Sequence, residues 1–234
     1  VHLDVGQVLV RIKYAGICGA QLGEIAGVKG PDKYLPHLLG HEGGAVVVAA
    51  GPGVHNLNPH DHVIVHWRKG TGIEASPPRY WCPELRTEIG GGAATTWSEM
   101  SVVSQNRLSK IDKNVPLDVA ALLGCAVSTG LGLICNEACV KMGESVVVFG
   151  CGGVGLNVIQ GAMLANAYPI IGVDIKEEKC RQAIVMGATH VIDSSTQSVD
   201  SIKVILGGGA DVVVDTTGNA DVMKLAWEFA GPQG

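Results

Sequence analysis

Val146-Val147-Val148-Phe149-Gly150-Cys151-Gly152-Gly153-Val154-Gly155 is the stretch that decides how this chain folds. Four consecutive apolar residues, three of them β-branched, read as a buried strand. The glycines let its C-terminal end turn tightly into a helix while a pyrophosphate approaches the backbone. The helix start then offers unpaired N–H groups and a positive dipole end to the phosphates. The glycine spacing by itself also arises as an ordinary turn in a chain with 33 glycines among 234 residues. Its context makes it informative. Ile170-Ile171-Gly172-Val173 reads as the next strand and ends at Asp174, close to the roughly 20-residue offset at which a dinucleotide fold places its ribose-binding acid. Gly150, Gly152, Gly153, Gly155 and Asp174 are therefore candidate cofactor-binding residues. A carboxylate at 174 can accept hydrogen bonds from both ribose hydroxyls, whereas a 2′-phosphate would meet it charge against charge, which favours NAD over NADP. Asp174 could equally end its strand and cap a helix over Lys176–Gly187, and the two roles are compatible.

From about Asp118 onward the chain alternates strand and helix. The pattern predicts a helix over 120–140 and strands at 145–149, 169–174, 190–192 and 211–215. Helices are expected at 153–165, 176–186, 199–206 and 220–230. Four parallel strands with crossover helices make a doubly wound sheet that reads as unfinished. Before Leu117 the rhythm differs. Short apolar alternations at 7–14 and 45–50, broken by Gly, Pro and His, predict a mainly β domain with long loops, and 70–86 reads as an irregular excursion. The expected division is residues 1–117 and 118–234. Both ends read as cut: the chain opens at Val1 without Met and closes on the turn signal Gly231-Pro232-Gln233-Gly234. It is expected to be a fragment of a longer protein.

Composition narrows the class. Hydrophobic residues make up 47% and charged residues 17%, with a mean hydropathy of +0.28, as in a core-rich globular protein. A net charge of −5 gives no reason to expect nucleic acid or an anionic membrane as partner. No apolar run reaches the roughly 18 residues of a membrane span and no signal peptide is visible. Seven cysteines, without the spacing of a secreted scaffold, point to a reducing, cytoplasmic compartment and to burial or metal binding as their uses.

A second chemical signal lies in the first domain. Gly16-Ile17-Cys18-Gly19 and Gly40-His41-Glu42 are joined at the domain seam by Leu123-Gly124-Cys125-Ala126-Val127-Ser128-Thr129-Gly130. Two thiolates and an imidazole form a Cys₂His set, which in catalytic zinc sites leaves a fourth position for water or substrate. By spacing alone these residues are equally compatible with buried cysteines and a core histidine.

Taken together, the motifs resemble the zinc-dependent medium-chain dehydrogenases, the alcohol and sorbitol dehydrogenase superfamily. The resemblance rests on Gly16–Gly19, Gly40–Glu42, Asp61-His62-Val63, Cys125 with Ser128-Thr129-Gly130, the glycine loop with Val154, and Met186-Gly187-Ala188-Thr189. All occur in family order over nearly the whole chain. It implies a GroES-like β domain followed by a Rossmann domain, an α/β protein with its active site in the cleft between them. It also implies a catalytic zinc on Cys18, His41 and Cys125, with Glu42 behind it as a supporting or alternate ligand. Thr129 would contact the nicotinamide, Val154 would pack on its ring, and Lys179 would assist Asp174 at the ribose. Thr216 and Thr217 would sit where the cofactor lies over the sheet. The implied reaction is hydride transfer between an alcohol, polyol or hydroxy compound and NAD, helped by a Lewis acid. Full-length members commonly form homo-oligomers, and the expected partner is a small alcohol or carbonyl substrate.

Several residues depart from the family pattern. The usual structural-zinc lobe carries four close cysteines, but 66–97 holds only Cys82, so one zinc at most is expected. Ala20 and Gly23 stand where many members carry a hydroxyl and a histidine that pass a proton outward. Gln21 replaces an acid that often orients the zinc histidine; its amide can still accept an imidazole N–H but brings no charge. These departures keep two other readings open: a zinc-free enone or quinone reductase of the same superfamily, and a dinucleotide-binding protein without turnover.

Other residues read as structural. His55, His60, His62 and His66 around Asp61 look like a loop feeding a strand. Cys135 and Cys139, at i, i+4 with Leu131 and Ile134 on the same helix, are expected to be buried. Cys151, near a helix N-terminus, is expected to have a lowered thiol pKa. Trp67, Tyr80, Trp81 and Trp97 would shape a pocket or pack a core.

Overall fold

Val8, Val10, Ala45, Val47, Val63 and Val65 are all buried, and they come from three strands that lie side by side. The computed structural model describes residues 2–28 and 30–232; Val1 and the last two residues of the terminal turn signal lie outside the described residues. In the first unit, β1 (Gln7–Ala15), β2 (Gly43–Ala50), β3 (His62–Val65), β6 (Met100–Ser104) and β7 (Leu108–Ile111) form an antiparallel sheet of order β6-β1-β2-β3-β7. Alternation of apolar and polar residues along these strands sends one face into a core with Leu57, Val103 and Leu108. Helix α1 (Gly19–Ile25) leaves the end of β1, and α2 (Leu117–Leu122) packs on β1, β2 and β3.

Two stretches differ from expectation. The excursion 70–86 contains β4 (Arg79–Cys82), which pairs with β5 (Thr87–Gly90) as a hairpin. Pro77 and Pro78 precede the strand instead of interrupting it, which is where proline is tolerated. The single helix expected over 120–140 is broken. Helix α2 stops before Gly124, α3 (Ala126–Gly132) restarts beyond Cys125, and a π turn (Leu133–Glu137) ends the segment. The chain divides at this break into two compact units, Val1–Cys125 and Ala126–Gly234. Helix α2 thus belongs with the strands, because its packing surface is the antiparallel sheet.

In the second unit β8 (Val146–Phe149), β9 (Ile170–Asp174), β10 (His190–Asp193) and β11 (Val212–Asp215) form a parallel sheet of order β10-β9-β8-β11. Val146, Val148 and Ile170 face one core with Val158 and Ile159 of α4 (Gly153–Leu164), while Val147, Phe149 and Ile171 face another with Ile202 and Phe229. Burial on both faces explains why β8 is continuously apolar. Helices α5 (Glu177–Val185), α6 (Ser201–Leu206) and α7 (Ala220–Trp227) complete the crossovers. The chain runs from β8 outward through β9 to β10, then returns to the other side of β8 as β11. That reversal makes a topological switch point at the C-terminal ends of β8 and β11, where open α/β sheets bind ligands. The π turn corrects the expectation for Cys135 and Cys139. Ile134 is fully buried against this core, whereas both cysteines are exposed. Among the described residues, no helix is long and apolar enough to cross a membrane.

Candidate metal centre and dinucleotide loop

Cys18, His41, Glu42 and Cys125 converge in the first unit, each offering a ligand atom within 4.8 Å of the others. Cys18 arrives as the residue that starts α1, Gly40-His41-Glu42 as the entry to β2, and Cys125 at the break after α2. Two glycines make the convergence possible. A Cβ on Gly16 would lie 2.6 Å from the Glu42 carboxyl carbon, and one on Gly124 would lie 2.8 Å from Glu42 Cβ. Any side chain at either position would push Glu42 out from beneath the cysteines. The Gly16 N–H donates to the Glu42 carbonyl at 3.2 Å, and the Trp97 indole donates to the Gly16 carbonyl at 3.1 Å. Trp97 therefore packs as a brace for this turn.

The donor geometry suits zinc. Cys18 Sγ and Cys125 Sγ lie 3.8 Å apart, and two sulfurs bound tetrahedrally at about 2.3 Å from one ion sit about that far apart. His41 Nε2 and Glu42 Oε2 are buried without a hydrogen-bond partner among the described residues, as expected of atoms that answer to a cation. Gln21, also buried, bonds through its side-chain amide to His41 Nδ1. With the amide turned to present its oxygen, Nδ1–H would donate and Nε2 would keep its lone pair for a metal.

Burial sets the protonation of the centre. It lowers the His41 pKa, against an opposing pull from Glu24, and it raises that of Glu42. The Cys125 thiol is pushed up to about 12 by burial and by the charges of Cys18 and Glu42, with a hydrogen bond from Trp67 working the other way. Burial thus favours the neutral forms of His41, Glu42 and Cys125, and a divalent ion would displace the Cys125 thiol proton. Ala20, exposed on α1, brings no hydroxyl. Cys82 donates to Glu84. The histidines around Asp61 do not gather into a metal-binding group among the described residues: His66 pairs with the Arg68 carbonyl and Ser109, and Asp61 pairs with Lys110.

In the second unit the glycine loop sits at the switch point. Gly150 has φ +88, a left-handed conformation that favours glycine. Thr216 Oγ1, at the end of β11, donates to the Gly150 carbonyl at 2.7 Å, so this hydroxyl pins the loop. Thr217 Oγ1 donates to Asp215 at 2.7 Å. A Cβ on Gly155 would collide with the Gly150 carbonyl, whereas one on Gly152 would meet nothing within 4 Å, and one on Gly153 only Ala126 at 3.6 Å. The fold thus demands glycine at 155; at 152 it leaves an open cradle above a helix start. Asp174 accepts the Cys151 N–H at 2.8 Å and the Lys176 N–H at 2.9 Å, one on each carboxylate oxygen. It ties β9 to the glycine loop, and it does not cap α5, whose N-cap residue is Lys176. A carboxylate offers about four acceptor positions, so two remain for ribose hydroxyls. Lys179 donates to Gln182 instead of Asp174. Val154, in the first turn of α4, packs partly against the core, and Thr129 lies half-buried on α3.

Cys151 corrects its expectation. Its thiol is fully buried and its pKa is pushed up to about 12, first by burial and then by Asp174. The helix start acts on Asp174 through the Cys151 N–H, while the sulfur points into the core. Sequence reasoning also passed over Trp97 as a brace and the grouping of Glu24, Asp32 and His37. Neither leaves a periodic signal, since the loop between α1 and β2 brings that group together.

Comparisons with known proteins agree with this architecture. The alcohol dehydrogenase GroES-like domain matches residues 4–113 and the zinc-binding dehydrogenase family matches residues 153–234. An alcohol dehydrogenase class-3 of Cereibacter sphaeroides is 34% identical over 95% of this chain and 68% of its own length. An S-(hydroxymethyl)glutathione dehydrogenase of a Synechocystis species is 35% identical over 98% of this chain and 70% of its own. Among solved structures, benzyl alcohol dehydrogenase from Acinetobacter calcoaceticus superposes with a TM-score of 0.84 at 31% identity, covering 100% of this chain and 69% of that one. A quinone oxidoreductase from Pseudomonas syringae gives a TM-score of 0.80 at 26% identity, covering 99% and 64%.

Proposed function

The chain belongs to the zinc-dependent alcohol dehydrogenase family, and on that premise we propose that it moves a hydride between an alcohol, polyol or hydroxy compound and NAD. The observation that carries the reading is the Cys18–His41–Glu42–Cys125 cluster, with its 3.8 Å sulfur spacing and two buried, unpartnered donor atoms.

In this reading Cys18, His41 and Cys125 hold the one catalytic zinc, with no structural zinc in the cysteine-poor stretch 66–97, and Gln21 orients His41. When bound, zinc supplies Lewis-acid polarisation of the substrate oxygen and NAD supplies the hydride acceptor. Glu42, kept beneath the cysteines by Gly16 and Gly124, provides a carboxylate that can stabilise the cation or replace a ligand. Gly150, Gly152, Gly153 and Gly155 present the α4 N-terminus to the pyrophosphate, and Asp174 binds the adenosine ribose and rejects a 2′-phosphate. Thr129 and Val154 contact the nicotinamide, Lys179 swings toward the ribose, and Thr216 and Thr217 shape the cofactor's floor. The chemistry requires the reacting carbon within about 3–3.5 Å of the nicotinamide. Because Ala20 carries no hydroxyl and Gly23 no imidazole, water or a side chain from another loop carries the proton outward. The first unit, with its boundary moved from 117 to Cys125, serves as the catalytic domain and the second as the NAD-binding domain, in a cytoplasmic protein that associates with copies of itself and with neither nucleic acid nor membrane.

The test is metal content together with an NAD⁺-linked screen of alcohols and polyols. A thiolate-bound zinc, lost in Cys125→Ser, with NAD⁺ reduction on some substrate, is expected. Turnover without zinc would establish the zinc-free enone or quinone reductase reading; NADH binding without turnover on any substrate would establish the non-catalytic one.

A further inference from the structure

A second group of metal-ligating side chains lies outside the centre just described. Glu24 sits in the last turn of α1, and Asp32 and His37 lie on the loop that leads to β2; their ligand atoms are within 4.8 Å of one another. His37 is held on both sides. Its backbone forms a bridge to Gly90 at the end of β5, the Leu38 N–H donates to the Gly90 carbonyl at 2.8 Å, and the ring shows only 16% side-chain exposure. Nδ1 lies 2.9 Å from the Leu38 carbonyl, which fixes a proton on that nitrogen and aims Nε2 at two carboxylates. Asp32 Oδ2 is 2.7 Å from Nε2 and Glu24 Oε1 is 3.5 Å from it. The other Asp32 oxygen is anchored by the Tyr34 N–H at 2.8 Å.

A ring N–H given to a backbone carbonyl, with the opposite nitrogen facing carboxylate oxygens, is how metal-bound histidines are oriented. For bonds of about 2.0–2.1 Å in a tetrahedral site, neighbouring N and O ligands sit about 3.3 Å apart. The Glu24–His37 spacing already matches that value, and Asp32 needs to withdraw by only about half an ångström. Glu24 and His37 also form part of the wall of a cavity of about 510 Å³, with Tyr34, Pro77, Pro78 and Arg79. On that side an ion held by Glu24 and His37 could take water or an exogenous donor as a further ligand.

We propose that Glu24, Asp32 and His37 form a second divalent-cation site, of the imidazole and two-carboxylate type that suits zinc, cobalt or manganese. It shares no ligand with the Cys18–His41–Cys125 centre and differs from it in donor chemistry, although the Glu24 charge also reaches His41. A cation there would replace the proton between His37 and Asp32 and tie the loop after α1 to the end of that helix.

The test is equilibrium dialysis of the chain against Zn²⁺, then against Co²⁺, with bound metal counted. Two equivalents are expected. Glu24→Gln and His37→Ala should each lose one and leave the thiolate-to-cobalt charge-transfer band unchanged, while Cys125→Ser should abolish that band and retain the other equivalent. The exposed Glu24 serves as the control against misfolding, checked by circular dichroism. A single equivalent that disappears with Cys125→Ser, or undiminished binding in both Glu24→Gln and His37→Ala, would overturn the site without touching the proposed catalytic zinc.

Discussion

Replacing Gly152 with alanine separates a glycine kept for a ligand from one kept for the fold. At Gly152 the backbone is extended, with φ −79 and ψ −166, and an added methyl meets no atom within 4 Å. Restricting the unfolded chain stabilises by about 0.4–1 kcal/mol. The weaker N-cap preference for alanine than for glycine costs up to about the same amount. Net stability should therefore stay within about 1 kcal/mol of wild type, a shift of no more than about 4 °C in Tm. The cofactor should respond differently. A methyl in the cradle holds a phosphate away from the N–H groups of α4, and each charged hydrogen bond lost is worth about 1.5–3 kcal/mol, or about ten- to a hundredfold in affinity. Gly155→Ala supplies the contrast. Its methyl would overlap the Gly150 carbonyl, so the loop must shift, at a cost of about 1–3 kcal/mol. NADH fluorescence titration and thermal unfolding of both variants read the two effects. NADH affinity in Gly152→Ala equal to wild type would refute the assignment of this loop to the pyrophosphate. A Gly155→Ala protein as stable as wild type would refute the packing argument.

Asp174→Asn should relax the discrimination against NADPH while keeping a carbonyl acceptor for one of the two amides, Cys151 or Lys176. It is a cleaner probe than glycine, which deletes both loop contacts; an unchanged NADH/NADPH affinity ratio would remove the argument for NAD. Asp211 accepts both the Ser145 amide and its hydroxyl, which holds its pKa below the ordinary carboxylate value. A depressed pKa means that the stabilisation is present above the unfolded carboxylate pKa and is lost as pH falls through the folded one. Asp211→Ala should therefore cost about 1 kcal/mol at neutral pH, after discounting for its exposure, and progressively less in acid. Urea midpoints that differ by the same amount at neutral pH and at about pH 2 would contradict this linkage.

The second unit was the more legible one, because its signals are local. A run such as Val146–Phe149 must be buried on both faces to be uniformly apolar, and glycine spacing reports a turn whose partners lie a few residues away. The candidate metal centre was legible only as a set of motifs, since Cys18, His41 and Cys125 are far apart in sequence and their convergence depends on long-range strand pairing. What resisted reading was the helix expected over 120–140. Its composition favours continuity, but Gly124 must pass close to Glu42 and the Val65 carbonyl, and that tertiary demand breaks the helix where Cys125 is needed. Cys135 and Cys139 failed for the related reason that a π turn changes the angular step between residues, so i, i+4 spacing no longer defines one buried face.

Charge gives the centre a further logic. Two thiolates neutralise a divalent ion, so any additional buried carboxylate leaves the pocket negative and must be stabilised by protein dipoles or stay protonated. Glu42 already occupies that role, and burial favours its neutral form. A carboxylate at position 21, beside His41, would be a second such group in the same desolvated space. Glutamine there keeps the hydrogen bond that fixes the imidazole and adds no charge, leaving the site close to neutral with one cation bound. The substitution that departs from the family pattern is therefore the one the buried electrostatics of this chain favour. With no carboxylate at 21 to raise the basicity of His41, a cation bound there would stay more Lewis-acidic than one held by a carboxylate-oriented histidine.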